Sequence, residues 1–431
     1  MRSTRLLTVA MAAALLVAAC GSAGPSQPGP GSSIDSSPVT VTVWDYYGES
    51  TPVKPGLDAC ATKYPWITVD YQAIDWDSTN DKIAVGISAG EAPDLATFDM
   101  TWIPTLAANG GLEDLSAWSG GQLNGQPIAD QYAPGALEAM TFDGKYVTML
   151  YDFDAYSMYY RSDLFDQKGI AVPTTWEELR AAMKQLAADS DGNGKPDKYL
   201  YAVTPDTFHF SQFLYQNGGS ILNQDDTKAA FGDAVGVDAL KAQQGFLDDG
   251  TGLYWSADED LIQPLNDESV AVFSNGPYYM GLLKTGVPTQ SGKWRIAPAP
   301  SSKEPGSYLG GTGLSIPSSA KHKQAAWLLL ECLLTPENEV GVFTYAGAAP
   351  ATKAALASDE LTQPDAYFGG DKPFGVFLDA MSTATAFPYV GQWSEIDTAI
   401  NDALEASMTG QKTPDQALMD AASEVDDLLA K

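Results

Sequence analysis

Cationic side chains are scarce in this chain: 24 Lys and Arg stand against 55 Asp and Glu, a formal net charge of −31. Nucleic-acid binding draws on Lys and Arg to neutralise phosphates, so that class of function is excluded. Electrostatic adhesion to an anionic bilayer is excluded on the same ground. The acids are spread along the chain rather than gathered in a tail, which suits a solubilising surface. Histidine is scarcer still, limited to His209 and His322. A Ser-His hydrolase therefore has little to work with. Gly86-Ile87-Ser88-Ala89-Gly90 spells G-x-S-x-G, but a nucleophile elbow needs a strand before its Ser. The residues before Ser88 read as helix, so the match is taken as chance. A glycosidase needs two convergent carboxylates; with so many acids the sequence does not exclude one, but no such motif stands out. Only three cysteines are present, with no CxxC or Cys/His spacing for zinc. Apart from Cys20, only Cys60 and Cys332 remain. Both fall in helix-like segments and are expected to be unpaired, buried, small apolar groups, although an exported protein permits a disulfide. There is no Walker motif, and no stretch after residue 19 is long and apolar enough to be a membrane-spanning helix.

What the chain does have begins at its first residues. Arg2 and Arg5 precede an uncharged run over 6–19 that ends in Val17-Ala18-Ala19-Cys20. The run has the shape of a secretory signal. Its small residues before Cys20 resemble a bacterial lipobox, in which the preceding segment is cleaved and the Cys is lipidated. Residues 1–19 are then a signal peptide. Residues 20–38, rich in Gly, Ser and Pro, form a flexible, lipid-anchored tether. The expected location is the extracellular face of the cell membrane, with the membrane contact made through the lipid on Cys20. Cleavage removes Arg2 and Arg5 and takes the net charge from −31 to −33. About 410 residues remain, more than one core usually organises, so two lobes are expected.

Alternating VTVTVW at 39–44 reads as a half-buried strand. A helix bearing Leu57, Cys60, Ala61 and Tyr64 follows, then the strand ITVDYQAI, an amphipathic segment near 80–90, and a third strand ending at Phe98. This β-α-β-α-β start predicts an open, largely parallel sheet. Thr175-Trp176-Glu177-Glu178 is a capping box, and Thr413-Pro414-Asp415-Gln416 is another. The spacing of Trp393, Ile396, Ile400, Ala403, Leu404 and Met408 predicts a helix.

Two constellations carry chemistry. Asp189, Asp191, Asn193, the Lys195 carbonyl and Asp197 follow the first nine positions of an EF-hand loop. Position twelve is Leu200, so the bidentate Glu is missing. A structural Ca²⁺ site and an ordinary Asp/Asn/Gly turn both remain open readings. The second constellation is aromatic. The chain has 10 Trp and 20 Tyr, many beside acids or amides just after predicted strands. Ligands in open α/β sheets bind beyond the carboxyl ends of the strands. Rings there can stack on sugar rings while carboxylates and amides take the hydroxyls.

Several stretches resemble the extracellular solute-binding proteins of carbohydrate ABC importers, the family that includes maltose-binding protein. They are VTVTVWDYYGE, ISAGEAPDLATFDMTWIPTLAANGGLEDLS, YDFDAYSMYYRSDLFDQKGIAVPTTWEELRAAMKQLA, ESVAVFSNGPYYM, WRIAPAP, GGTGLSIPSSAKHKQAAWLLLECLLTPE and GQKTPDQALMDA. The order of these segments along the chain carries the resemblance. It implies an α/β, two-lobed periplasmic-binding-protein-like fold with a hinge between the lobes. The N-terminal lobe would hold 39–153 plus 300–317, and the C-terminal lobe 154–299 plus 318–431. Crossings would fall near Asp152–Ala155, Ile296–Pro300 and Ile316–Ser319. The resemblance implies ligand contacts at Trp44, Tyr46, Tyr47 and Glu49, and in the Phe98 to Trp102 loop with Asp99 and Thr101. It adds Asp154, Phe208, His209, Tyr278, Tyr279, Gly311 and Trp393. Trp76, Asp77, Asp152 and Asn275 join them from the pairing of aromatics with acids and amides. The candidate loops contain almost no Arg or Lys, so a neutral ligand follows, and the number of aromatic stations favours a di- or oligosaccharide. The implied function is capture by a monomer and delivery to membrane permease subunits, without enzymatic chemistry. A surface-anchored glycoside hydrolase and a sugar sensor feeding a signalling receptor are the alternatives.

Overall fold

A computed structural model describes residues 31–47, 53–256 and 261–431. The expected signal peptide, Cys20, the first part of the tether and Glu49 lie outside the described residues. Asp77 lies in a helix, but its side chain is outside the description.

Strand Val39–Asp45 turns Val41, Val43 and Asp45 inward, all fully buried, and leaves the alternate residues partly or fully exposed. This period of two is what the alternating sequence predicted. The strand pairs in parallel with Ile67–Ala73 and with Leu95–Asp99. Helices Lys54–Lys63 and Trp76–Ala89 connect them, giving the expected β-α-β-α-β start. The first sheet has seven strands. Beyond Leu95–Asp99 it continues through Ser307–Ser315 and Met149–Asp154 to Ala349–Pro350, all antiparallel to their neighbours. The second sheet has five strands, in the order Gly252–Tyr254, Leu200–Val203, Val270–Asn275, Ser157–Arg161, Trp294–Ala297. The chain thus leaves the first sheet after Asp154 and returns to it between Ala297 and Ser307. The resemblance implies crossings near Asp152–Ala155 and Ile296–Pro300.

The third crossing lies elsewhere. The resemblance implies that 318–431 belongs to the C-terminal lobe, with a crossing near Ile316–Ser319. Helix Lys323–Leu333 instead buries Ala326, Leu329, Leu330 and Leu333 in the same core as Val41, Val43 and Leu57. An almost wholly apolar helix must be covered on all sides, and the first sheet and helix Lys54–Lys63 supply the cover. From Ala349 the chain enters the core around Tyr159, Phe273 and Trp294, to which it then adds Phe368, Phe374 and Phe377. Helices Trp393–Met408 and Pro414–Leu429 then pack on the second lobe.

The cysteines correct a second expectation. Cys60 and Cys332 form a disulfide, with Cα atoms 5.9 Å apart and a sequence separation of 272. Neither helix alone indicates that the two Cys faces meet; the packing of Lys54–Lys63 on Lys323–Leu333 brings them together. Two local predictions hold as made. Thr175 caps helix Trp176–Leu186 by accepting from the Glu178 amide at 3.1 Å. Ser88 lies inside helix Trp76–Ala89, its hydroxyl donating to the Ala84 carbonyl at 2.9 Å, so no nucleophile elbow exists there. No helix of the described residues is long and apolar enough to cross a membrane.

Candidate functional site

The carboxyl ends of the first-sheet strands gather a hydrogen-bonded floor. Asp45, at the end of its strand, accepts from the Thr97 hydroxyl at 3.0 Å and the Tyr71 hydroxyl at 2.7 Å. Its neighbours Tyr46 and Tyr47 stack on each other, centroids 4.6 Å apart. The Tyr46 hydroxyl pairs with the Thr312 hydroxyl at 2.6 Å, and the Tyr47 hydroxyl donates to Asp152. Asp152 also accepts from the Thr312 amide at 2.9 Å. Asp152 and Thr312 belong to the two crossing strands, so this knot ties the first-strand loop to both hinge segments. Burial disfavours the charged carboxylates. It pushes Asp45 up to about 6 and Asp152 to about 7, against the hydrogen bonds they accept.

Above the floor, Asp99 accepts from the Thr101 amide at 2.8 Å and its hydroxyl at 2.6 Å, which fixes the turn leading to Trp102. Burial raises the Asp99 carboxyl as well. Trp102 meets Tyr46 edge-on at 5.5 Å and Trp76 at 5.4 Å. Facing them from the second lobe, Trp393 opens the helix Trp393–Met408. Between these walls lies a cavity of about 210 Å³. The first lobe contributes Trp76, Asn80, Asp81, Thr101 and Trp102; the second contributes Trp393, Ser394, Asp397 and Thr398. Among the described residues no Lys or Arg lines it. Burial raises the Asp397 carboxyl to about 6. Beside the cavity the lobes touch, with Thr105 and Ser394 hydroxyls 3.0 Å apart.

Of the expected contact residues, Trp76, Thr101, Trp102 and Trp393 line this cavity. Asp99, Tyr46, Tyr47 and Asp152 support it from below. The others lie elsewhere. Phe98 and Tyr279 are fully buried in core clusters; alternation along Leu95–Asp99 sends Phe98 away from the Asp99 side. Trp44 packs on the rim of the first core, opposite Val43 and Asp45. Phe208 meets Tyr308 at 5.2 Å and Phe387 at 5.6 Å rather than facing open space. His209 is held at both ring nitrogens, by Asp206 at 2.8 Å and the Ser274 carbonyl at 3.1 Å. Asn275 is buried and accepts from the Gly276 amide at 2.7 Å. Asp154 lies against Gly276, so close that a Cβ there would come within 2.5 Å of its carboxylate. Tyr278 packs at the edge of the third core cluster. Gly311, at φ +133°, brings its backbone against that of Asp152 and Phe153; a Cβ would sit 2.2 Å from the Asp152 carbonyl oxygen. Its small size thus serves strand packing rather than ligand approach.

The sequence reading missed Asn80, Asp81, Ser394, Asp397 and Thr398. A signal existed. Asn80 and Asp397 stand four residues after Trp76 and Trp393, which puts each pair on one helix face.

The Asp189 to Asp197 loop closes on itself. Asp189 accepts from the Gly192 and Gly194 amides at 2.7 Å each, Asn193 from the Lys195 amide at 2.8 Å, and Asp197 from the Ser190 amide at 2.8 Å. Asp191 accepts from the Asn193 amide at 3.0 Å. Leu200, at position twelve, is buried in a strand. Among the described residues no three acidic, His or Cys side chains converge as a metal would require. The loop's hydrogen bonds are those of an Asp/Asn/Gly turn, in which the Asp189, Asp191, Asn193 and Asp197 side chains each accept from a backbone amide of the loop.

Two α/β lobes, crossing strands between them and a cleft walled by both define a two-lobed binding protein. The family model of bacterial extracellular solute-binding proteins matches residues 57–369, and the chain belongs to that family. It is 24% identical to a lactose-binding protein of Rhizobium radiobacter over 386 residues, covering 86% of this chain and 88% of that one. It is 23% identical to a maltooligosaccharide ABC transporter solute-binding lipoprotein of Streptococcus pneumoniae, over 98% of this chain and 96% of that one. Among solved structures, an ABC transporter solute-binding protein of Thermotoga lettingae bound with α-D-tagatose superposes with a TM-score of 0.79. It is 26% identical over 90% of this chain and 99% of that chain.

Proposed function

We propose that this protein captures a neutral saccharide, a di- or oligosaccharide, in the interlobe cavity and delivers it to the permease of an ABC importer. The observation that carries this reading is the cavity lining: indoles from both lobes, with carboxylates, amides and hydroxyls between them and no cationic side chain. Indole faces cover the apolar faces of a sugar ring, and the polar groups take its hydroxyls. An acidic or phosphorylated ligand would call for Arg or Lys. The relatives named for lactose and maltooligosaccharide support the ligand class. The Cys20 pattern and the relative named a lipoprotein support anchoring at the extracellular face through Cys20. Capture needs no covalent step: the ligand has only to bind the closed lobes better than the open ones.

The test is a thermal-shift series on the chain from residue 38 onward with neutral mono- to hexasaccharides, each sugar recovered afterwards. A saturable rise in melting temperature with intact sugar is expected, because a ligand of the native state stabilises it by mass action. Cleaved sugar would move the reading to a glycoside hydrolase. No shift with any neutral sugar would remove the ligand class.

A further inference from the structure

We propose that Phe387 ends the binding cavity on its hinge side, so that a saccharide is held end-on by one enclosed ring and recognised by that ring rather than by its length. The inference rests on the saccharide reading and narrows it. Phe387 is almost fully buried. It stacks on Trp393 with centroids 4.7 Å apart at 24° and on Tyr308 at 5.3 Å and 19°. The three rings form one continuous stack running from the cavity wall to the crossing strand Ser307–Ser315. On this hinge side of Thr101 and Trp393 the lobes come together: Met100 and Pro104 of the first lobe and Leu309 and Gly310 of the crossing strand meet Phe387 and Tyr389. The crevice left there has no room for a water molecule and exposes only apolar surface. A sugar ring cannot enter it, and its hydroxyls would find no partners there.

The space on the other side, about 210 Å³, falls below the roughly 300–1,000 Å³ of sites that enclose drug-sized ligands. It suits about one ring. Phe98 and Tyr279 add no surface to it, being buried in the cores, and Phe208 packs on Tyr308 and Phe387. Further rings of a longer saccharide must leave through the open mouth, where they add little contact.

Calorimetry on a homologous series, one to four rings of a single linkage, tests the wall in the wild type and in Phe387→Ala. Phe387→Leu, which keeps more of the packing, serves if the alanine variant does not fold. Wild-type affinity is expected to level off, changing less than about tenfold from the shortest binder upward. The variant is expected to favour the longer members by at least about tenfold relative to the shortest. Wild-type affinity climbing about tenfold with each ring, or variants shifted equally at all lengths, would overturn the wall and leave the saccharide reading standing. A wild type that binds no member of any such series would overturn both.

Discussion

The two walls of the cleft are built on different principles. On the first lobe, polar groups are satisfied by one another: Tyr46, Tyr47, Asp152 and Thr312 form a closed hydrogen-bonded knot, and Asp45 accepts from Thr97 and Tyr71. On the second lobe, rings lie on rings, from Trp393 through Phe387 to Tyr308. The first wall derives its shape from proton positions and the second from volume. The first should therefore answer to pH and the second to truncation.

Removing Trp393 should have the largest effect. The side chain is fully buried and belongs to both the core and the cavity. Trp393→Ala is expected to cost about 3–5 kcal/mol of stability, read by urea unfolding, and to abolish measurable ligand binding. A variant of wild-type stability would show that the stack is not a structural wall. The disulfide comes next, and it belongs to the first lobe alone. Replacing Cys60 and Cys332 by Ser is expected to cost about 2–5 kcal/mol, seen as a lower melting temperature that reductant also produces in the wild type. The hinge and the second lobe should be indifferent to it, so affinity should change little.

Trp76→Ala sharpens the contrast from the other side. Trp76 is only partly buried and meets Trp102 at the cavity edge. Its loss should weaken ligand binding by about 1–2 kcal/mol, roughly tenfold, with melting temperature nearly unchanged. If it destabilises as much as Trp393→Ala, the two walls do not differ in the way described.

The pH effect is the smallest, and Asp397 on the second lobe, also raised to about 6 by burial, shares in it. Asp45 is raised to about 6, and Asp152 and Glu339 to about 7, all by burial. In each case the folded chain holds a proton that the unfolded chain has already lost. Folding therefore takes up protons between roughly pH 4 and 7, and the corresponding stability is complete below that window and lost as pH rises through it. The melting temperature is expected to rise as buffer is taken from about pH 7 to about pH 5. Asp152→Asn should flatten that slope. A flat profile in the wild type would mean that these carboxyls are not held protonated by the floor.

Much of the fold was legible because it is local. The strand Val39–Asp45 follows from alternation, and the cap at Thr175 from its spacing to Glu178. The site was legible only in part. Trp76, Trp102 and Trp393 could be chosen as aromatics beside polar residues, but so could Phe98, Phe208 and Tyr279, which the protein uses for its own packing. One residue step along a strand reverses the face a side chain occupies, and no composition rule records that step.

By itself the sequence determined the alternation of strands and helices, the two-lobed scale and the scarcity of cationic side chains in the candidate loops. These depend on near neighbours and on composition. Tertiary structure alone decided that Cys60 meets Cys332, that helix Lys323–Leu333 belongs to the first lobe, and that Phe387 stacks between Trp393 and Tyr308. Each of these joins residues far apart in the chain. The free energy that favours them comes from burying apolar area against a distant partner, and that partner exists only once the rest of the chain has folded.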